Sequence, residues 1–256
     1  MSAHTLPDNV AVIAGGAKNL GGMISRDLAA GGAKVVIHYN SDSTREAADK
    51  TLADITAAGG EGILVQGDLT VVENVTTLFD AAIKAFGKVD IAINTAGQVI
   101  KKPITDVTEA DYDSSFGINA KAAFFFMQEA GKKLSDQGKL CTILTSLLGA
   151  YTGYYSAYAG SKAPVEHFTR AAAKEFGPRG ISVTAIAPGP METPFFYGQE
   201  SEEAAAYHKS AADLSKFTET GLTDPVDIMN IVRFMVTEGW WITGQTILAN
   251  GGYTTK

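Results

Sequence analysis

Short apolar runs alternate along the chain with longer stretches in which apolar side chains recur every three or four positions. Runs at 10–14, 34–38, 63–66, 89–93, 140–145, 182–186 and 246–249 have the length and β-branched content of buried strands. The alanine-rich stretches at 20–30, 43–58, 71–86, 109–134, 157–176 and 225–237 carry one apolar stripe each and predict helices. Strands joined by helices make a parallel sheet, because a parallel crossover needs a dozen or more residues to return the chain to the same edge. The expected fold is α/β: one doubly wound sheet of seven strands with helices on both faces. No break in composition and no repeat divides the chain, so 1–256 is expected to be a single domain. Residues 188–223, with Pro190, Pro194 and a Glu/Ala-rich piece at 199–216, are too long for a plain connection. They are expected to form a loop with one or two helices lying over a site as a lid.

Composition narrows the setting. A net charge of −7 argues against a broad nucleic-acid surface, and no apolar run approaches membrane-spanning length. The first residues have neither a basic region nor a long apolar one, so the expected location is cytoplasmic. The lone Cys141 lies in a predicted strand and is expected to pack inertly. His4, His38, His167 and His208 form no metal-binding spacing and are expected to be surface or packing residues.

Two features carry chemistry. The first strand runs into Gly15-Gly16-Ala17-Lys18-Asn19-Leu20-Gly21-Gly22 and then into a helix. Such a turn presents free amides and a helix N-terminus to an anion, although its spacing is not G-x-G-x-x-G. The second is Tyr158 with Lys162 four residues on, and Ser146 upstream. Residues i and i+4 share a helix face, so the ammonium would stand beside the phenol and lower its ordinary pKa of ~10 toward the working range. With nine tyrosines in the chain, that spacing alone is weak. Pro164 removes a helical hydrogen bond two residues after Lys162, which predicts either a kink or a position still near the helix start.

The motifs together resemble the short-chain dehydrogenase/reductase family over nearly the whole chain. The glycine turn is similar to T-G-x-x-x-G-x-G, with Ala14 for threonine and Asn19 for the middle glycine, a substitution that a left-handed backbone tolerates. Asp68, Asn94-Thr95-Ala96-Gly97, Asn119, Ser146, Tyr158, Lys162, Ala187-Pro188-Gly189 with Thr193, and Asn250-Gly251-Gly252 follow in the family's order. Thr95 replaces the family's second asparagine, and Asn250 its aspartate. The resemblance implies a Rossmann-type fold and hydride transfer between a nicotinamide and a carbon bearing oxygen. Tyr158 would be general acid for reduction and general base for oxidation, Ser146 would hold the substrate oxygen, and Lys162 would bond the nicotinamide ribose. Asn119 would order a water. The cofactor residues implied are Gly15, Lys18, Asn19, Leu20, Gly21, Tyr39, Asn40, Ser41, Asp68, Leu69, Asn94, Ala96, Gly97, Tyr158, Lys162, Pro188, Gly189, Met191 and Thr193.

No acid stands at the end of the second strand, 35–41, to accept ribose hydroxyls, while Lys18 can pair with a 2′-phosphate and Asn40, Ser41 and Arg45 can donate further bonds. NADP(H) is therefore the expected cofactor. Leu147, Leu148, Tyr151, Tyr155, Pro190, Met191, Phe195 and Phe196, with Ser146, are expected to build the substrate pocket, which favours a hydrophobic or aromatic ketone. Carbonyl reductases and 3-oxoacyl carrier-protein reductases are both compatible, the second needing a basic patch for which Lys101, Lys102, Lys121, Lys132 and Lys133 are candidates. An idle NADP-sensing regulator is the rival from another class. Family members usually pair long central helices into tetramers, and the apolar stretches at 120–127 and 157–176 suit a homotetramer.

Overall fold

The computed structural model describes residues 4–150 and 152–255. Seven parallel strands form one sheet in the order β3-β2-β1-β4-β5-β6-β7: β1 Val10–Ala14, β2 Lys34–Tyr39, β3 Gly62–Gln66, β4 Ile91–Asn94, β5 Lys139–Ile143, β6 Ser182–Pro188 and β7 Thr246–Ala249. This is the Rossmann-type doubly wound order, extended by one strand. Its switch point falls between β1 and β4, where ligands bind in such sheets.

Alternating side chains along each strand feed two cores. Val10, Val12 and Ala14 of β1 join Phe79 and Phe126 on one face, under α3 (Val72–Phe86), α5 (Ala122–Lys133) and α6 (Ser156–Phe176). Ala11 and Ile13 join Ile24, Leu28, Ile228 and Val232 on the other, under α1 (Asn19–Ala30), α2 (Arg45–Ala57) and α9 (Pro225–Met235). Strands β1, β4, β5 and β6 are buried along their whole length, as a parallel sheet covered on both faces requires. Cys141 lies in β5, and burial pushes its thiol up to about 12, so it stays protonated and packs.

The helix expected over 109–134 is α4 (Glu109–Phe116) followed by a π turn at Gly117–Lys121 and then α5. A π turn inserts one residue into the helical ladder, and such insertions gather at functional sites. Asn119 sits in it. Helix α6 runs unbroken through Pro164, eight residues past its start, so the first-turn alternative does not hold. The excursion after β6 contains α7 (Pro194–Tyr197) and α8 (Glu202–Ala211), and its ends are tied where Thr223 N donates to Pro190 O at 2.9 Å.

Candidate active site

The glycine turn closes tightly at the end of β1. Gly15 has φ 73° and Asn19 φ 49°, so asparagine holds the left-handed position expected of it. A Cβ on Gly21 would stand 2.2 Å from Gly15 O, and one on Gly15 would stand 2.8 Å from Thr95 Oγ1, so neither position admits a side chain. Thr95 fills that gap and donates to Ala14 O at 2.8 Å, while Asn94 Oδ1 accepts from Ala96 N at 3.0 Å. The β1 and β4 turns are thereby locked side by side. Helix α1 starts at Asn19, aiming its free amides into the space between them.

That space is a cleft of about 1290 Å³, large enough for a dinucleotide. It brings together Gly15, Lys18, Asn19, Leu20, Gly21, Tyr39, Asn40, Asp68, Ala96, Gly97, Tyr158, Lys162, Met191 and Thr193 of the residues expected from sequence. Ser41, Leu69, Asn94, Pro188 and Gly189 do not line it. Ser41 closes a small turn with Thr44, Leu69 packs into the core, and Asn94 is buried beneath the β4 turn. Arg45 is turned away, its guanidinium on Asp49 at 2.9 Å and on Tyr39 Oη at 3.1 Å.

A second, smaller cavity of about 110 Å³ adjoins it, and Leu144, Tyr158, Met191, Thr193 and Phe195 line both. Ser146, Leu147, Tyr155, Pro188, Gly189, Pro190 and Phe196 line the smaller one. Leu148 does not line it and packs against the core instead, because the short helical turn at Ser146–Gly149 turns it inward. Tyr151 lies outside the described residues.

The central helices fix the remaining groups. Asn119 Nδ2 donates to Gln98 O at 2.8 Å and to Ser161 Oγ at 3.0 Å, and its Oδ1 accepts from Gln98 N at 3.0 Å. Its amide therefore clamps the turn after β4 to α6. Lys162 is buried and donates to Ile143 O at 2.9 Å, close to Gly97.

A model of the family described as Enoyl-(Acyl carrier protein) reductase matches residues 15–254. The chain belongs to the short-chain dehydrogenase/reductase family. Among its relatives, a hydroxynaphthalene reductase-like protein of Metarhizium brunneum is 34% identical over 98% of this chain and 97% of its own length. A crystal structure from Burkholderia cenocepacia, described as a dehydrogenase with bound NADP, is 61% identical with a TM-score of 0.97, covering 100% of this chain and 97% of that one. A short-chain dehydrogenase from Oenococcus oeni is 47% identical with a TM-score of 0.77, covering 99% of each chain.

Within this short-chain dehydrogenase/reductase, burial rather than pairing governs the Tyr158 phenol. Desolvation pushes it up to about 12, against a smaller opposing effect of the Thr145 hydroxyl. The i, i+4 spacing predicts that Lys162 depresses it. Instead the ammonium is directed at Ile143 O, and its own burial pulls Lys162 down to about 8.

Two histidines read from sequence as packing residues line the cavities. His38 Nδ1 accepts from Gly15 N at 3.0 Å and its Nε2 reaches Gly67 O at 2.7 Å, so the ring ties the first glycine of the turn to the end of β3. His208 lines the smaller cavity with Glu200 and Tyr253. Nothing in their sequence spacing marks any of these four, because they reach the cavities only through strand register and the folding back of the excursion.

His38→Leu is expected to lower the unfolding free energy by about 1–3 kcal/mol, since the Gly15 amide and the Gly67 carbonyl both lose their partner. Urea denaturation measures this, and an unchanged midpoint would contradict it. Burial lowers the His38 pKa below its ordinary 6.5, so on acidification the unfolded chain takes up the proton first. Its contribution to stability is full above pH ~6.5 and is lost below it, with a slope of at most ~1.4 kcal/mol per pH unit that is absent in the leucine variant.

Proposed function

We propose that this oxidoreductase reduces a ketone to a secondary alcohol with NADPH, Tyr158 donating the proton. The observation that carries the reading is the junction of the two cavities at Tyr158: the ring faces a dinucleotide-sized cleft on one side and the Ser146 pocket on the other. When bound, the dinucleotide supplies the hydride. Gly15 to Gly21 and the α1 amides fit its pyrophosphate, Asp68 fits its adenine end, and Lys162 with Thr193 fits its nicotinamide end. Ser146 would hold the substrate oxygen, and Tyr158, protonated at neutral pH, would donate to the alkoxide as charge develops. Asn119 acts through the Gln98 turn and Ser161, which its amide fixes. Residues 188–223 act as the lid of one catalytic domain, with Phe195 and Phe196 of α7 over the pocket.

NADP(H) rather than NAD(H) is supported by the corner of the cleft at the end of β2. Lys18, Tyr39, Asn40 and Thr44 line it, whereas the Asp42 carboxylate is engaged by Gln66 Nε2 at 3.1 Å. The Burkholderia cenocepacia relative, 61% identical, was solved with NADP. Lys18→Ala is expected to weaken NADPH binding about 10- to 100-fold with little change for NADH, the loss of one charge-assisted phosphate contact. Fluorescence titration with both nucleotides checks this, and tighter binding of NADH by the unaltered protein would overturn it.

A free ketone is favoured over a carrier-borne one. The lysines expected to make a basic patch are each engaged: Lys101 with Glu200, Lys102 with Asp111, Lys121 with Thr70 O, and Lys132 and Lys133 with Glu129. The apolar part of the pocket, Val99, Leu144, Leu147 and Phe196, suits a hydrocarbon body. No helix among the described residues is long and apolar enough to cross a membrane. A cytoplasmic homotetramer is the assembly we propose, paired through α5 and α6, where Phe124 is 42% exposed and packs on Phe168. Light scattering tests it, and a monomer would contradict it.

A further inference from the structure

The wall of the smaller cavity carries a polar cluster that ketone reduction does not itself require. Glu200, between α7 and α8, has a side chain only 2% exposed, although it belongs to the excursion. Lys101 and the Tyr155 hydroxyl both bond it, and Lys101 also stands 5.4 Å from the Tyr155 ring centroid. His208 of α8 places Nε2 3.7 Å from Glu200 Oε2, while its Nδ1 lies 3.0 Å from Tyr253 Oη. Tyr155, Glu200, His208 and Tyr253 all line the cavity that holds Ser146 and Tyr158.

Burying a carboxylate is costly unless its hydrogen-bonding capacity is filled. Lys101 neutralises the charge of Glu200, and burial lowers the His208 pKa below its ordinary value, so the ring is neutral near pH 7. The cluster as a whole is therefore uncharged. An anionic substrate would meet Glu200 unfavourably, and a cationic one would find its partner already taken by Lys101. The Glu200 carboxylate can only accept, so it favours the tautomer with the hydrogen on His208 Nε2, the Tyr253 hydroxyl then donating to Nδ1; at 3.7 Å, Nε2 and Oε2 stand too far apart for a direct hydrogen bond. A hydroxyl oxygen beside the pair, about 2.8 Å from each atom, can accept from Nε2 and donate to the carboxylate. A ketone or an ether oxygen can only accept, and a hydrocarbon satisfies neither group.

We infer that the substrate is an uncharged hydroxyketone, whose hydroxyl is held by Glu200 and His208 while its carbonyl faces Ser146 and Tyr158. This rests on the reading of the site as a carbonyl reductase. The cavity is small, about 110 Å³, so the hydroxylated end is short. Lys101 and Tyr155 are positioning residues that hold the carboxylate in place.

The test compares butan-2-one with 1-hydroxy-, 3-hydroxy- and 4-hydroxybutan-2-one, whose hydroxyls lie at different distances from the carbonyl. At least one hydroxyketone is expected to exceed butan-2-one in kcat/KM by about 100-fold or more, because a site built for a hydroxyl rejects the analogue lacking it. In Glu200→Gln and in His208→Phe that ratio is expected to fall at least about tenfold. Reading the ratio cancels any general loss of activity from a loosened lid. Should Glu200→Gln fail to fold because Lys101 is left unpaired, the double variant Lys101→Met/Glu200→Gln keeps the pair neutral, and its ratio is read instead. Equal kcat/KM for all four ketones, or a preference that survives in the variants, would overturn the inference while leaving ketone reduction standing. A binding arm separates the two claims: at least one of butane-1,2-, butane-2,3- and butane-1,3-diol, the alcohols of the three hydroxyketones, is expected to raise the melting temperature of the NADP complex, and butan-2-ol at the same concentration is not. Stabilisation by a diol without turnover of any ketone would sink the carbonyl-reductase reading and retain the hydroxyl subsite. Stabilisation by none of the diols would count against the subsite.

Discussion

Tyr158→Phe is expected to reduce kcat for ketone reduction by about 10²- to 10⁴-fold, the range for removal of a positioned general acid. Burial pushes this phenol up to about 12, so it holds its proton throughout the neutral range and is ready to donate. Phenylalanine fills the same space between the two cavities without the hydroxyl, so NADPH binding, read by nucleotide fluorescence, is expected to survive. The rate is read from loss of nicotinamide absorbance. Retention of more than about a tenth of the wild-type rate would be too small a loss for the proton donor. It would move that role to another hydroxyl of the pocket, Thr145 or Ser146.

Lys162→Met is expected to separate activity from stability. The ammonium is buried, its pKa is about 8 in the folded protein, and its ordinary value is 10.5. The unfolded chain therefore binds the proton more tightly, and below pH 8 the folded state carries the full cost of burying the charge. Stability rises with pH between the two values. Methionine has nearly the same length and no charge, so at pH 7 the variant is expected to be more stable by on the order of 2 kcal/mol, after allowing for the lost bond to Ile143 O. The advantage is expected to disappear as pH approaches 10. Ketone reduction is expected to fall about 100-fold or more, since Lys162 is a buried cation that lines the cleft together with Tyr158. Denaturant melts at pH 7 and 10, paired with turnover, check both halves. A variant that is destabilised at pH 7 would contradict the electrostatic part of the account.

The sheet was legible in the sequence because strands buried on both faces are continuous apolar runs, and all seven runs are strands at nearly the expected bounds. The phosphate turn was legible for a local reason: Gly15, Asn19 and Gly21 are residues that the backbone itself demands. What depended on tertiary packing was not. The π turn at Gly117–Lys121 carries no distinctive composition, so 109–134 read as one helix. His38 becomes a strut of the turn only through the pairing of β1, β2 and β3. The pocket read as apolar because Glu200 and His208 lie in a charged, alanine-rich segment that looks solvent-facing, and only the folding of α7 and α8 over the sheet turns them inward. The pKa of Tyr158 failed for the same reason: spacing shows that Lys162 is near, but burial sets the sign.

The most direct test of the central claim is to follow the hydride. NADPH carrying deuterium at its transferable C4 position is incubated with the protein and the ketone panel, and the alcohols formed are analysed by mass spectrometry. One deuterium is expected on the carbinol carbon, with at least about 100-fold less product from Tyr158→Phe. Tight NADPH binding with no deuterated alcohol from any ketone would contradict it and would favour an NADP-sensing protein built on the same fold.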